Sequence, residues 1–337
     1  SGQLRLDESI VIEGPGADRI TISGGDATRQ FEFGASGSNQ YVISGLTIAD
    51  GNPGAGEDGG AIRMIDNDDT LRISDVVLRN NRTLNGLGSA ILVARGSIEI
   101  VDSAIVDNAD GQGVIYAQDA RGVISNCTFS GNSGGFGVLW ARGGLGQSHC
   151  TVTHSTFVGN DVSEGAIFHT AAFPESVSKL FYGHNIITGT PAGSLDAGPP
   201  TGTIVATSLG YNMFDDAPAD ATPDSTDQLS TDPMLGPLQE TAGTLVHLPL
   251  SGSPAIDAGD PDAIPGVDGV SLYDQRGVLY YRADNQRLDI GAVESSASVN
   301  ACVADVTTDG TPNGIPDGSV TLSDFSYYLS LWSQGCP

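Results

Sequence analysis

Asp305, Asp317, Ser319 and Asp324 are the residues whose types and spacing most directly imply chemistry in this chain. Calcium takes hard oxygen ligands, and an EF-type loop supplies them at alternating positions around a glycine turn, closing on an acidic residue. In Asp317-Gly-Ser-Val-Thr-Leu-Ser-Asp324 the first two residues stand at the fifth and sixth loop positions. Ser319 then offers a backbone carbonyl, and Asp324 closes the loop at its twelfth position. Asp305 becomes the first ligand if about eight residues, Thr307 to Asn313 or so, bulge out as an insertion. The expected cofactor is calcium. Beyond the loop, Val320, Leu322, Phe325, Tyr328, Leu329 and Trp332 recur at helical spacing. They form one amphipathic helix, to be docked on a partner or on the body of the chain.

The other chemistry-bearing residues point away from catalysis. Cys302 and Cys336 bracket the C-terminal segment, and a disulfide between them would close it in an exported protein. Cys127 and Cys150 have no histidine or basic neighbour that would make a nucleophile, and read as small buried apolar side chains. Glycan hydrolysis needs clustered carboxylates, and the compact acidic cluster of the repeats is Asp66, Asp68 and Asp69 in what looks like a turn. His154 and His184 share a corner column with Asp75, Asp102 and Asn126, where a hydrogen-bonding role is expected. No Ser-His-Asp set or metal-ligand spacing is visible in the repeats, so the chain is not expected to be an enzyme.

These residues are positioned by a repeat. Ile43-Ser-Gly-Leu-Thr-Ile48, Ile73-Ser-Asp-Val-Val-Leu78, Ile100-Val-Asp-Ser-Ala-Ile105, Ile124-Ser-Asn-Cys-Thr-Phe129, Val152-Thr-His-Ser-Thr-Phe157 and Tyr182-Gly-His-Asn-Ile-Ile187 share one pattern. Their closing apolar residues step by 30, 27, 24, 28 and 30 positions. Such self-similarity marks a stacked architecture. Within each unit the apolar residues alternate, which puts them on one face of two short strands bent at Asp75, Asn126 or His154. A third strand opens on glycine, as in Gly113-Val-Ile-Tyr-Ala117 and Gly137-Val-Leu-Trp-Ala141. Three strands per coil and no helical periodicity predict an all-β, right-handed parallel β-helix, followed by the small calcium-loop and helix segment. If Ile62, Ile91, Ile115, Leu139 and Ile167 point inward, then Arg63, Leu92, Tyr116, Trp140 and Phe168 line one outer face. Stacked aromatics there would be a platform for sugar rings or for another protein. The opposite phase puts them in the core.

Composition limits the partners. The 337-residue chain carries 41 acidic against 14 basic residues, a formal charge of -27, and Lys179 is its only lysine. Nucleic acid and anionic membrane surfaces are not expected to bind it, since little could neutralise phosphates. No apolar run approaches the 18 or so residues of a membrane span. The chain opens directly on strand-like Leu4-Arg-Leu6, as a mature secreted form would after losing its signal peptide. An uncapped first coil leaves an unpaired strand edge that head-to-tail stacking would cover.

Three domains are expected: coils over 1–222, closing coils and a cap over 223–294, and the calcium segment over 301–337. The middle region carries Ser253-Pro-Ala-Ile-Asp-Ala-Gly259, Asp274-Gln-Arg-Gly277 and Asp289-Ile-Gly-Ala-Val-Glu294. Arg276 is expected to pair with Asp257 or Asp289 and lock the end. On these strings, residues 10–294 resemble the bacterial surface β-helix proteins called choice-of-anchor Q proteins, related in style to polymorphic outer-membrane repeats. The stretch with Ala304 to Thr308, Gly314 to Gly318 and Asp324 resembles a dockerin repeat. It is closer still to the Gly-Cys-ending C-terminal domains of planctomycete secreted proteins. The resemblance implies an exported, bacterial cell-surface protein of structural or adhesive role. Its partner would be a second copy, another surface protein or a glycan, with calcium governing C-terminal docking.

Overall fold

The computed structural model describes residues 2–34, 38–65, 68–190, 195–197, 201–218, 222–282 and 287–295. The calcium-type loop, Cys302, Cys336, the expected C-terminal helix and Asp66 lie outside the described residues.

Parallel strands stack coil on coil. One face is an eight-stranded parallel sheet that includes the glycine-led strands Ile62–Ile65, Ile91–Ala94, Ile115–Gln118, Gly137–Gly143 and Gly165–Ala171. The other two faces join into a 14-stranded sheet, because the ten-residue strands Gln40–Ala49 and Thr70–Arg79 run around the bend between them. That bend is a backbone feature. Gly45, Asp75, Asp102, Asn126, His154 and His184 occupy it in successive coils, with φ of 63, 55, 50, 61, 48 and 59°. Left-handed backbone costs an L-residue energy unless it is glycine or a short Asx side chain that bonds locally. The expected corner is therefore real, and its residue types follow from its conformation.

The interior consists of ladders in register. Ile43, Ile73, Ile100, Ile124, Val152 and Tyr182 pair rung to rung and are buried. So are Ile48, Leu78, Ile105, Phe129, Phe157 and Ile187, with the Phe129 and Phe157 rings stacked at 4.4 Å. Each such side chain contributes about 1.5–3 kcal/mol of burial, gathered between neighbouring coils instead of around one centre. A third ladder reads Leu71, Ile98, Gly122, Cys150, Leu180. Gly122 is small because a Cβ there would sit 3.0 Å from the Cys150 sulfur. Cys127 and Cys150 are free and buried, as expected, and burial pushes both thiols up, Cys150 to about 11.

Two polar ladders run beside the apolar ones. Asn81 donates to Asn108 Oδ1 from both its backbone (2.9 Å) and its side chain (3.0 Å). Asn108 repeats this on Asn132, and Asn132 on Asn160. Just past the bend, Ser103, Ser155, Asn185 and Asn212 accept the backbone N–H of the preceding coil in the same way.

The region expected to supply closing coils does something else. After Met213–Phe214 the chain leaves the axis, and Leu235–Thr241 pairs antiparallel with Thr244–Pro249. This hairpin lies against the strands Thr70–Arg79, Ala104–Val106 and Thr128–Ser130. Residues 250–282 and 287–295 continue in turns along the coil flank. The region is thus a lateral arm, not closing coils and a cap. Outward apolar residues of the coils require it: Val77, Ala104 and Val106 pack under Leu238 and Leu245, and Ile186 and Met213 pack under Ala255 and Ile290.

Arg276 also departs from expectation. It pairs with Asp274 at 2.5 Å, donates to the Glu294 carbonyl and lies 4.1 Å over the Tyr280 ring. Asp289 instead accepts the backbone N–H groups of Asp257 and Ser295. The tight Asp274–Arg276 turn puts the guanidinium beside its own turn's carboxylate before it can reach the others.

Candidate functional site

The column Arg63, Leu92, Tyr116, Trp140, Phe168 forms in register, with Ile62, Ile91, Ile115, Leu139 and Ile167 turned inward. Of the two phases the sequence left open, this is the one that would make an outer platform, but no open platform forms. Leu92, Tyr116, Trp140 and Phe168 are 1–7% exposed and make a second small core. Phe136, in the turn before Gly137–Gly143, folds back to 4.4 Å from Trp140 and 5.5 Å from Phe168. Trp140 Nε1 donates to Thr170 and the Tyr116 hydroxyl donates to Gln118, so the polar tips are satisfied as well. Arg63 remains half-buried at the column's end, 3.5 Å from Glu32. Of the acidic cluster, Asp69 is buried and accepts from the Asn39 backbone and side chain, linking two coils.

A concave site among the described residues lies elsewhere, where the arm crosses the bend column. A groove of about 430 Å³ opens between the coils and the arm segment 260–270. Its floor is the bend: the His154 and His184 rings stack at 4.5 Å and 10°, and Tyr211 of the next coil stacks on His184 at 5.3 Å. The expected hydrogen-bonding histidines therefore act by stacking. His154 is 4% exposed, and neither ring nitrogen has a hydrogen-bond partner among the described residues. Nε2 of His184 has none either. Lower in the same column the corner does bond through side chains, Asn126 donating to Asp102.

Burial is the main reason these imidazoles are neutral. It lowers His154 well below the ordinary range and His184 to about 4, with the Arg282 charge adding to both. Asp260 on the arm and Asp227 pull His184 the other way without reversing it. In the same column burial raises Asp75, and raises Asp102 to about 6. The groove thus offers uncharged imidazole acceptors on its floor and carboxylates on its arm side.

The histidine column was visible as a repeat in the sequence. Tyr211 extends it by one more coil, 27 residues beyond His184. The arm's contribution was not visible, because nothing in residues 260–270 encodes which coils they cross. No cluster able to hold a metal occurs among the described residues. No described helix is long and apolar enough to cross a membrane.

Compared with known proteins, residues 17–207 match the family described as right handed beta helix region. No curated protein and no solved structure matches the chain.

Proposed function

The chain belongs to the right-handed β-helix family, and from that premise we propose that it is a non-enzymatic scaffold exported to a bacterial cell surface. The observation that carries this reading is the pair of side-chain ladders that clamp each coil to the next. They take the chemistry-bearing amides of the coils into a stiff rod, with the aromatic column and both coil cysteines buried as well. An acidic surface keeps such a rod soluble.

Strands paired on one side only are where such a scaffold can meet partners. The outward edge of the first described coil, Leu4–Leu6, Ile10–Glu13 and Thr21–Ser23, exposes Leu4, Val11 and Ile20. A second copy adding strands there would extend the ladder. Calcium held by Asp305, Asp317, Ser319 and Asp324 would order the segment that docks on the neighbour. Negative-stain imaging and sedimentation in calcium and in chelator test this. End-to-end rods in calcium that fall apart in chelator are expected; monodisperse single rods in both would sink the assembly reading.

A further inference from the structure

The groove under the arm has a chemistry that the scaffold role does not use. His154 and His184 line its floor, each nine-tenths or more buried, and three of their ring nitrogens, both of His154 and Nε2 of His184, are buried without a partner among the described residues. An uncharged imidazole keeps one acceptor nitrogen beside one N–H donor, and repels no cation. The arm side adds Asp260, Asp262 and Asp268, and none of the described residues lining the groove is basic. The nearest guanidinium acting on the rings, that of Arg282, is fully buried and paired with Glu294. Hydroxyls of Ser125, Thr151 and Thr153 line the coil side, and the exposed Ile264 and Val267 supply apolar contact from the arm. The volume falls in the range of small-molecule sites. Two histidine rungs about 4.8 Å apart, in a groove of about 430 Å³, give room for a short chain instead of a single small ion.

Carboxylates with no basic neighbour in the described lining, uncharged imidazoles that repel no cation and an apolar rim select one kind of partner. We propose that this groove binds a short chain bearing primary ammonium groups. Each ammonium has three donors and no acceptor, which complements the acceptor-only carboxylates of Asp260, Asp262 and Asp268 and the one acceptor nitrogen of each uncharged imidazole. A uronate-type glycan is excluded by the carboxylate wall, since like charges brought together cost affinity. The ammonium could stand on a sugar or on an aliphatic chain, and the probes separate these sources.

The test is calorimetric titration of the full chain at neutral pH and physiological salt. The probes are a glucosamine trimer, spermidine, an N-acetylglucosamine trimer and a galacturonate trimer. Binding of one or both aminated probes is expected, with the N-acetylated trimer at least about tenfold weaker and the uronate silent, a tenfold ratio being about 1.4 kcal/mol. Glucosamine binding alone identifies a sugar body, and spermidine binding an aliphatic one. Asp260→Asn should weaken binding about tenfold. So should Ile264→Trp, which keeps the net charge and fills the groove from an exposed position where folding is not at risk. Aminated probes that bind Ile264→Trp as well as the parent would be held by the general acidic surface, and the proposal fails. It fails equally if the N-acetylated trimer binds as well as the amine, or if no probe binds.

Discussion

Along the bend, six coils solve one backbone problem with four residue types. Glycine meets the left-handed conformation without a side chain, Asp and Asn meet it with short polar ones, and His154 and His184 meet it by stacking. The choice sets the pH response of each coil. His184 titrates near 4 when folded against 6.5 ordinarily, so the unfolded chain binds the extra proton. Its contribution is present above pH 6.5 and lost as pH falls toward 4, by about 3 kcal/mol at most. Asp102 has the opposite sign: folded it titrates near 6 against 3.8, so its contribution is present below pH 3.8 and lost as pH rises toward 6. The two slopes oppose each other within the window from pH 4 to 6. Urea denaturation across that window should show His184→Gln gaining stability relative to the parent as pH falls, and Asp102→Asn losing it. Two variants with parallel pH profiles would contradict these assignments.

At the scale of strands and turns, the apolar rungs fix where a coil lies and the amide ladders fix its neighbour. Asn108 is fully buried. Its Nδ2 donates to the Leu78 and Val106 carbonyls and to Asn132, while its Oδ1 accepts twice from Asn81. Asn108→Ala leaves several buried groups unpaired at about 1–3 kcal/mol each. A loss of about 3 kcal/mol is expected, seen as a lower urea midpoint with an unchanged slope; a shift under 1 kcal/mol would mean that water replaces the amide. The apolar ladders and the bend were legible in the sequence because their residue types recur with the coil. The asparagines at 81, 108, 132 and 160 recur with the same steps of 27, 24 and 28, so this ladder was legible as well, once the polar positions are aligned on the apolar ones. Phe136 was not. Periodicity left two phases open for Tyr116, Trp140 and Phe168; the outward one forms, yet a glycine-rich turn folds over that face, and turn direction leaves no periodic trace. A platform and a satellite core therefore look alike from the strand alone.

For the molecule as a whole, the question is what holds the arm to the rod. Composition marked a change near residue 222, but the strings beyond it were expected to form closing coils and a cap, and nothing in them says which flank a turn-rich segment will cover. The answer rests on Arg282, the largest fully buried side chain. Its guanidinium reaches Asn126 Oδ1 of the coils at 2.5 Å, and Glu294 Oε1 at 3.1 Å and the Gly291 carbonyl at 2.8 Å on the arm. Burial pushes Glu294 up to about 8, against the pull of this same arginine. Removing one partner of a buried pair strands the other and costs about 3–5 kcal/mol, whereas replacing both by neutral groups of similar size can be nearly free. Arg282→Met should therefore loosen the arm, raising hydrogen exchange across 235–295 while the coils of 43–187 stay protected. Arg282→Met combined with Glu294→Gln should restore much of that protection, a coupling that a double-mutant cycle reads directly. If the single variant leaves exchange in the arm unchanged, the apolar contacts under Leu238, Leu245 and Ile290 hold it alone. If the coils lose protection together with the arm, the two are one cooperative unit, and the arm is as much a part of the rod as any coil.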